Sequence, residues 1–516
     1  MRPQRPARNL IFSTTTRGGA RRRRERNTCR ANRSGKILVM MAILLPVLCG
    51  FAGLVLDSSL LMADYRNLQH ASDGAATEAA TALYNVGTVE AATAAAVACV
   101  QVENGFTDAN VVVNIPPQSG PYAGNANYVE VIASQQKTTF FMQALGTLSP
   151  PTIRVRSVAG IEASTAGAAV DVLEANPPGV TANLAPYVTL SETLPALQLG
   201  GLEILGLGQL SVNGAVLDNN QWGGVDQNGN QVGSSAGPPY GAACMPLISL
   251  TSLLARNIRV VGGVDNPSNY GNFTSGQKSP LRANQLPVPD PFINLPAPTV
   301  AVDPANVSAT TYGGVQVTGV PLISPAKVLN PGVYDWIEID SGAAVLNPGV
   351  YIIRSVNPTT QLALNVTGGI VTANGVMFYI TNTTNYTPLT GAPDASDGNT
   401  VAPPPTAMTQ IPSVVIASLL GSSYQGLNDP ASPFNGLLIY QRRVDRSPIV
   451  LADQQMLLAG TLQGRVYGKY AQIVFAANGT FDMSLVAGSI RFANILQTTL
   501  APSQPLPPAK DVYLVE

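Results

Sequence analysis

Charge is scarce in this chain: Asp, Glu, Lys and Arg make up 11% of its 516 residues, against ~25% in ordinary soluble domains. Histidine is scarcer, with His70 alone. A cage of histidines around a metal is therefore excluded, and a Ser-His-Asp triad is disfavoured. There are four cysteines and no Cys-x-x-Cys pair. No Gly-rich phosphate loop follows a strand-like run. The low charge does not mean disorder, because 45% of the chain is hydrophobic. Nor does it mean a multi-span membrane protein, because one apolar run alone is long enough to cross a bilayer. What is abundant is Gly (48) and Pro (41), which points to turns and short strands rather than a helical bundle.

The charges that exist are unevenly placed. Residues 1–36 hold 12 of the 29 basic residues and one acid, Glu25. The rest of the chain is acidic. The run RRRRER (21–26) has the composition of a nucleic-acid or anionic-lipid tail. The run that follows favours lipid. Ile37 to Leu56 is 20 residues without a charge, and a helix of that length covers the ~30 Å of a bilayer's hydrocarbon. Basic residues stay cytoplasmic, so we expect a single inner-membrane span with the amino terminus inside and residues 57–516 outside. The run is too long for a cleaved secretory signal. Pro46 sits mid-span, where a membrane helix tolerates it. No nucleic-acid partner is expected.

Helical period continues past Asp57. Leu61, Tyr65, Leu68, Ser72, Ala75, Ala79 and Ala82 form one thin, mostly apolar face. Val89 to Val102 reads as a second Ala-rich helix. Strand-like runs follow at 111–115, 128–134, 137–142 and 152–163. Beyond ~164 helical period fades, and short strand-like runs between Gly, Asn and Pro take over. The heptapeptide VLNPGVY occurs at 328–334 and again at 345–351, an offset of 17 residues. Such an offset suggests stacked, equivalent coils.

The stretch 41–80 resembles the amino-terminal domain of TadE/TadG-like proteins of the tight-adherence (Flp) pilus. The matching residues are Leu44, Leu45, Pro46, Val47 and Leu48, then Gly50, Gly53, Leu54 and Asp57. Arg66, Leu68, Gln69, Ala71, Asp73, Ala75 and Ala76 continue the match. Gly74 departs from it, standing where that family usually has Ala. YVEVIASQQKTTFFMQALG (128–146) and IRVRSVAG (153–160) look like the family's strand segment. LPVPDPFINLPAP (286–298) and GVMFYIT (375–381) look like parts of the β-rich region of long members. The resemblance implies a membrane-anchored pilus-assembly role; no enzyme activity and no cofactor are expected, because no carboxylate set stands out from exposed strand faces. The sequence itself speaks against trimming as a type IV prepilin. Gly35 precedes Lys36, and the fifth residue after it is Met40 rather than the Glu that such pilins carry.

The fold expected is α+β. A basic tail (1–36) leads into the transmembrane helix (37–56), then a TadG-like helix with a small sheet (57–163). A large all-β domain (164–516) completes the chain, as a right-handed parallel β-helix or alternatively a β-sandwich. Residues 165–190 read as the linker. The residues expected to anchor the chain and face partner proteins are Pro46, Gly50, Gly53, Asp57, Leu61, Tyr65 and Leu68. Partners implied are membrane lipid and other pilus or envelope proteins, with polysaccharide as a further candidate. No metal site and no catalytic set stands out. A parallel β-helix can carry sugar-cleaving carboxylates, so Asp290, Asp335, Glu338 and Asp340 are the residues to watch, with Trp336 as a stacking surface. RRVDR (442–446) reads as a solvated loop. Cys29 falls on the cytoplasmic side and Cys49 in the bilayer. Cys99 and Cys244 fall outside and are free to pair or to stay buried thiols.

Overall fold

The computed structural model describes residues 34–144, 149–164, 166–178, 199–234, 241–246, 250–320, 323–397, 411–417, 421–452 and 460–516. The RRRRER run, Cys29, the linker beyond Pro178 and the Pro-rich stretch 402–406 lie outside them. The chain divides into two compact units: Met1–Gly160 with Leu514–Glu516, and Ile161–Tyr513.

The first unit is built on α1 (Ser34–Val86), one continuous helix of 53 residues with Pro46 inside it. Its sequence changes character near residue 57. Before that point apolar side chains point outward on every side. After Arg66 an Ala-rich stripe is buried: Leu68, Ala71, Ala75, Ala76, Ala79 and Ala80 are inaccessible. Small side chains let α2 (Val89–Ala98) approach closely, with Ala92 and Ala96 at the contact. Thr88 caps α2 by accepting from the Ala91 N–H at 3.3 Å. The helix relaxes into a π-turn over Cys99–Glu103, so the second helix is shorter than its period suggested. Three antiparallel strands follow, β1 (Asn110–Asn114), β2 (Tyr128–Gln136) and β3 (Thr152–Ala163). The run 137–142 is not the strand it resembles in sequence. It is a connection ending in the single turn α3 (Phe141–Ala144). At the carboxy terminus, Val515 donates to the Val158 carbonyl and Val158 donates to the Glu516 carbonyl.

The second unit is β-rich. Its long strands pair in parallel and join into one closed network. A β-sandwich of hairpins would be antiparallel, so that alternative is overturned. The VLNPGVY repeat is in register across two neighbouring strands, Val328 opposite Val345 and Leu329 opposite Leu346. Equivalent residues therefore stack. Asn347 Nδ2 donates to Asn330 Oδ1 at 2.7 Å. Each repeat's Tyr hydroxyl donates to its own Asn carbonyl, Tyr334 to Asn330 at 2.7 Å and Tyr351 to Asn347 at 2.8 Å. The two rings stack at 5.7 Å. Chain order and spatial order part company here. The late strand Gly479–Leu500 pairs with the early strands β4 (Ala168–Val172) and β5 (Leu202–Asp218).

The Pro-rich segment 286–300 lies along this sheet as a strap. Pro287, Pro289, Pro291, Pro296 and Pro298 lack an N–H, so the segment cannot join as a strand. Side chains of the sheet hold it instead. Asn219 exchanges two hydrogen bonds with the Val288 backbone, at 2.7 and 2.8 Å. Tyr467 donates to Asp290 at 2.9 Å. Arg443 donates to the carbonyls of Phe292, Ile293 and Leu295 at 2.9, 3.1 and 2.6 Å. Val288, Phe292, Leu295, Ala297 and Val300 pack over a buried layer that includes Tyr379, Tyr440 and Tyr467. Arg443→Leu should remove the guanidinium bond from all three carbonyls, leaving Phe292 only the Leu295 N–H at 3.0 Å, and loosen the strap. Limited proteolysis with mass spectrometry should then find new cleavage within 286–300; an unchanged digestion pattern would contradict this.

Two buried carboxyls lie on the neighbouring strands β4 and β5. Asp171 and Asp218 are buried, and Asp171 Oδ1 and Asp218 Oδ2 lack hydrogen-bond partners. Burial pushes both acids well above the usual carboxylate range, with Asp290 adding to the rise at Asp171. Each therefore keeps its proton to a higher pH in the folded chain than in the unfolded one. In the unfolded chain they ionise near pH ~3.9. Above that pH the unfolded state has released protons that the folded state keeps, so stability falls as pH rises. Urea denaturation should show the chain less stable at pH 8 than at pH 5. The decline should be smaller in Asp171→Asn, which keeps the shape and cannot ionise.

Candidate functional site

The site builds on α1. From Ile37 to Phe51 its apolar side chains are largely uncovered by the described residues: Ile37, Leu38, Ile43 and Phe51 are each about two-thirds exposed. Gly50 has open space around it. Pro46 lies within this exposed stretch. A helix this apolar and this bare is a candidate membrane anchor.

Below the exposed stretch the helix meets its own chain at two fixed points. The first is Gly53 with Asp57. The Phe141 ring presses on α1 where a Cβ on Gly53 would come within 2.3 Å of it. One turn on, Asp57 is 2% exposed. Its carboxylate accepts the N–H groups of Phe140 at 3.1 Å, Phe141 at 2.8 Å and Met142 at 2.7 Å. These are the donors that the start of α3 leaves without partners. Glycine makes room for the ring, and the aspartate pins the turn that carries it.

The second point is Gln69 with Asp73. Gln69 donates to Asp73 at 2.7 Å and to Ser157 Oγ at 3.0 Å. The Ser157 hydroxyl donates back to Asp73 at 2.6 Å. Between these residues, Ser72 lies against β2, its hydroxyl donating to the Val131 carbonyl at 3.4 Å. A polar triad thus sets the helix register on β3, while the Ala stripe supplies the close contact.

Of the other residues expected to face partners, Leu61 is half-buried and Tyr65 is exposed. Leu68 is used within the chain, fully buried against its own domain. At Gly74 a Cβ would meet Cys99 Sγ at 3.4 Å, an ordinary contact, so space does not demand glycine there. Cys99 and Cys244 are both free, buried thiols, and neither forms a disulfide. Among the described residues one trio has metal-ligand spacing, Glu78, Cys99 and Glu103, with ligand atoms within 4.8 Å of one another. Burial, with Glu78 and Glu103 adding to it, pushes the Cys99 thiol up to about 11. It is therefore a neutral thiol beside two carboxylates.

The carboxylates watched for sugar chemistry are dispersed into structural roles. Asp335 pairs with Arg354 at 2.8 Å. Asp340 accepts from Gln316 at 2.8 Å. Glu338 is 4% exposed and accepts from Asn365 at 2.9 Å and from Asn357. Burial, with Asp340 nearby, raises its pKa. Asp290 belongs to the strap. Trp336 packs where a Cβ on Gly314 would clash with it. The RRVDR run is not a solvated loop. Arg442 pairs with Asp397 at 2.6 Å, Arg443 holds the strap, and Arg446 pairs with Glu174 at 2.7 Å. Arginine's planar fork suits such buried pairing.

Residues 35–82 match the family model for Flp pilus-assembly, TadE/G-like domains. The chain carries a TadE/G-like amino-terminal segment. The match takes in Gly53, Asp57, Gln69 and Asp73. Both fixed points of α1 therefore lie in the TadE/G-like segment, and their receivers, Phe141 and Ser157, lie beyond it. No curated protein and no solved structure matches the chain.

Proposed function

We propose that this protein is a membrane-anchored structural component of a Flp pilus or a related envelope assembly. It crosses the inner membrane once, with the amino terminus in the cytoplasm, and displays the β-rich unit outside. The TadE/G-like segment carries this reading: an exposed apolar helix runs without a break into a helix docked on a sheet. That continuity carries the anchor directly into the docked helix of the first unit, which suits a mechanical role better than a loose tether. Leu61 and Tyr65 remain available to neighbouring pilus or envelope proteins, and lipid surrounds Ile37–Leu56. The parallel pairings between equivalent strands support reading the β-rich unit as stacked coils of a parallel β-helix. The role is non-enzymatic in this reading, since each watched carboxylate has a structural partner.

The test is genetic and topological. A carboxy-terminal phosphatase fusion should be active and a fluorescent cytoplasmic reporter dark. Loss of the gene should abolish Flp pili, with rescue by the full chain and not by one lacking 37–56. Normal piliation without the chain would overturn the pilus role. A second reading is an anchored enzyme acting on envelope polysaccharide, favoured by the Glu338 carboxyl's raised pKa beside Asp340. Saccharide release that vanishes in Glu338→Gln would establish it.

A further inference from the structure

We propose that the Phe140–Met142 turn is a second membrane contact of this protein, with its aromatic side chains buried among lipid acyl chains beside α1. The inference rests on the reading of Ile37–Leu56 as the span, and four observations carry it.

The first is depth. The Phe141 ring lies against Gly53, three residues before Leu56. At ~1.5 Å of rise per residue, Gly53 sits ~5 Å inside the end of the apolar run. A span that places Leu56 at the hydrocarbon edge places Phe141 within it. The second is exposure. Phe140 is 76% exposed and Phe141 42%. Val55, Leu56 and Leu60 of α1 are more than half exposed at the same level. Single exposed apolar residues need no explanation, but two aromatics clustered beside a bare apolar helix form a patch.

The third is the backbone. Hydrocarbon offers no hydrogen bonds, so a turn entering it must satisfy its own donors. Asp57 accepts all three N–H groups of Phe140, Phe141 and Met142. The turn in return covers the Asp57 carboxylate, which would be costly if left bare at the hydrocarbon edge. The fourth is the flank. Lys137 pairs with Asp64 at 3.6 Å, and Asp64 is seven residues beyond Asp57, ~10 Å further out along the helix. That places a cation at the level of lipid headgroups, where lysine and aromatic residues concentrate.

The experiment uses the full chain in phosphatidylcholine–phosphatidylglycerol vesicles, with and without lipid brominated near the top of the acyl chain. Phe140→Trp reports on the turn and Leu45→Trp on the span. Trp222 and Trp336 of the parent set the background. We expect bromine to quench the added emission in both variants, with aqueous acrylamide having little effect on either. If Leu45→Trp is quenched by bromine while Phe140→Trp answers only to acrylamide, the turn is in water and the inference fails with the anchor intact. If Phe140→Trp is shielded from both quenchers, a protein neighbour covers the turn, which also overturns the lipid contact. If neither variant answers to bromine, the anchor reading fails and takes this inference with it.

Discussion

Gly53→Leu should dislodge the Phe140–Met142 turn from α1 while leaving the helix itself intact. The Phe141 ring occupies the space that any side chain at position 53 would need: Cγ and Cδ1 lie 2.3 Å from a built Cβ, and the Phe141 Cβ lies at 2.8 Å. Overpacking a filled contact costs ~1–3 kcal/mol. Leucine is at the same time a better helix former than glycine by ~1 kcal/mol, so α1 itself is not weakened by the exchange. The substitution thus separates the two roles of this position. Hydrogen exchange should show the amides of Phe140, Phe141 and Met142 losing protection, because Asp57 can hold them only while the turn is seated. The amides of α1 around residue 53 should keep theirs. Asp57→Ala should expose the same three amides by the other route, removing the acceptor and keeping the room. Unchanged protection in both variants would mean that the turn is held by something other than this glycine and aspartate.

Arg491→Met should strongly destabilise the β-rich unit. Arg491 and Glu203 face each other on paired parallel strands. The guanidinium Nε stands 2.5 Å from the carboxylate, and both side chains are 1% exposed. The pair itself is not a large net source of stability, since two charges must leave water to form it. Removing one partner is different. Glu203 would remain buried as an unmatched charge, at a cost of ~3–5 kcal/mol. Calorimetry of the full chain should register that loss. Arg491→Met combined with Glu203→Gln should recover much of it, because no buried charge is then left alone. A double variant as unstable as the single one would show that packing, rather than the orphaned carboxylate, sets the penalty.

Local pattern made much of this architecture legible. An uncharged run of helix length can only be α1, and its continuation past Asp57 follows from uninterrupted period. β3 matches its strand-like run, 152–163, because alternation is a local signal. The VLNPGVY offset announced register, and the structure pairs Val328 with Val345 accordingly. Local pattern misled where a residue's partner is distant. The run 137–142 has β-branched and aromatic residues and reads as a strand, yet Asp57, more than 80 residues earlier, ends the extended chain by capping a helical turn. Leu68 looked like a face for partners, but β2 and β3 close over its helix. RRVDR looked solvated because arginine usually is. Its acceptors, the 292–295 carbonyls, Asp397 and Glu174, are 45 to 272 residues away.

The same division holds for the site. Sequence alone determined that Gly53 and Asp57 lie one helical turn apart at the end of an apolar helix, because a 3.6-residue period fixes that spacing. It also determined the uncharged apolar run, the charge asymmetry and the β-rich character of the remainder. Only the tertiary structure decided what the glycine makes room for and which donors the aspartate satisfies. Only it decided that a Pro-rich segment becomes a strap and that Arg491 meets Glu203. Periodicity encodes which side of an element is apolar. A hydrogen bond between positions 57 and 141, or between 203 and 491, depends on how the intervening chain folds back, and no local pattern records that.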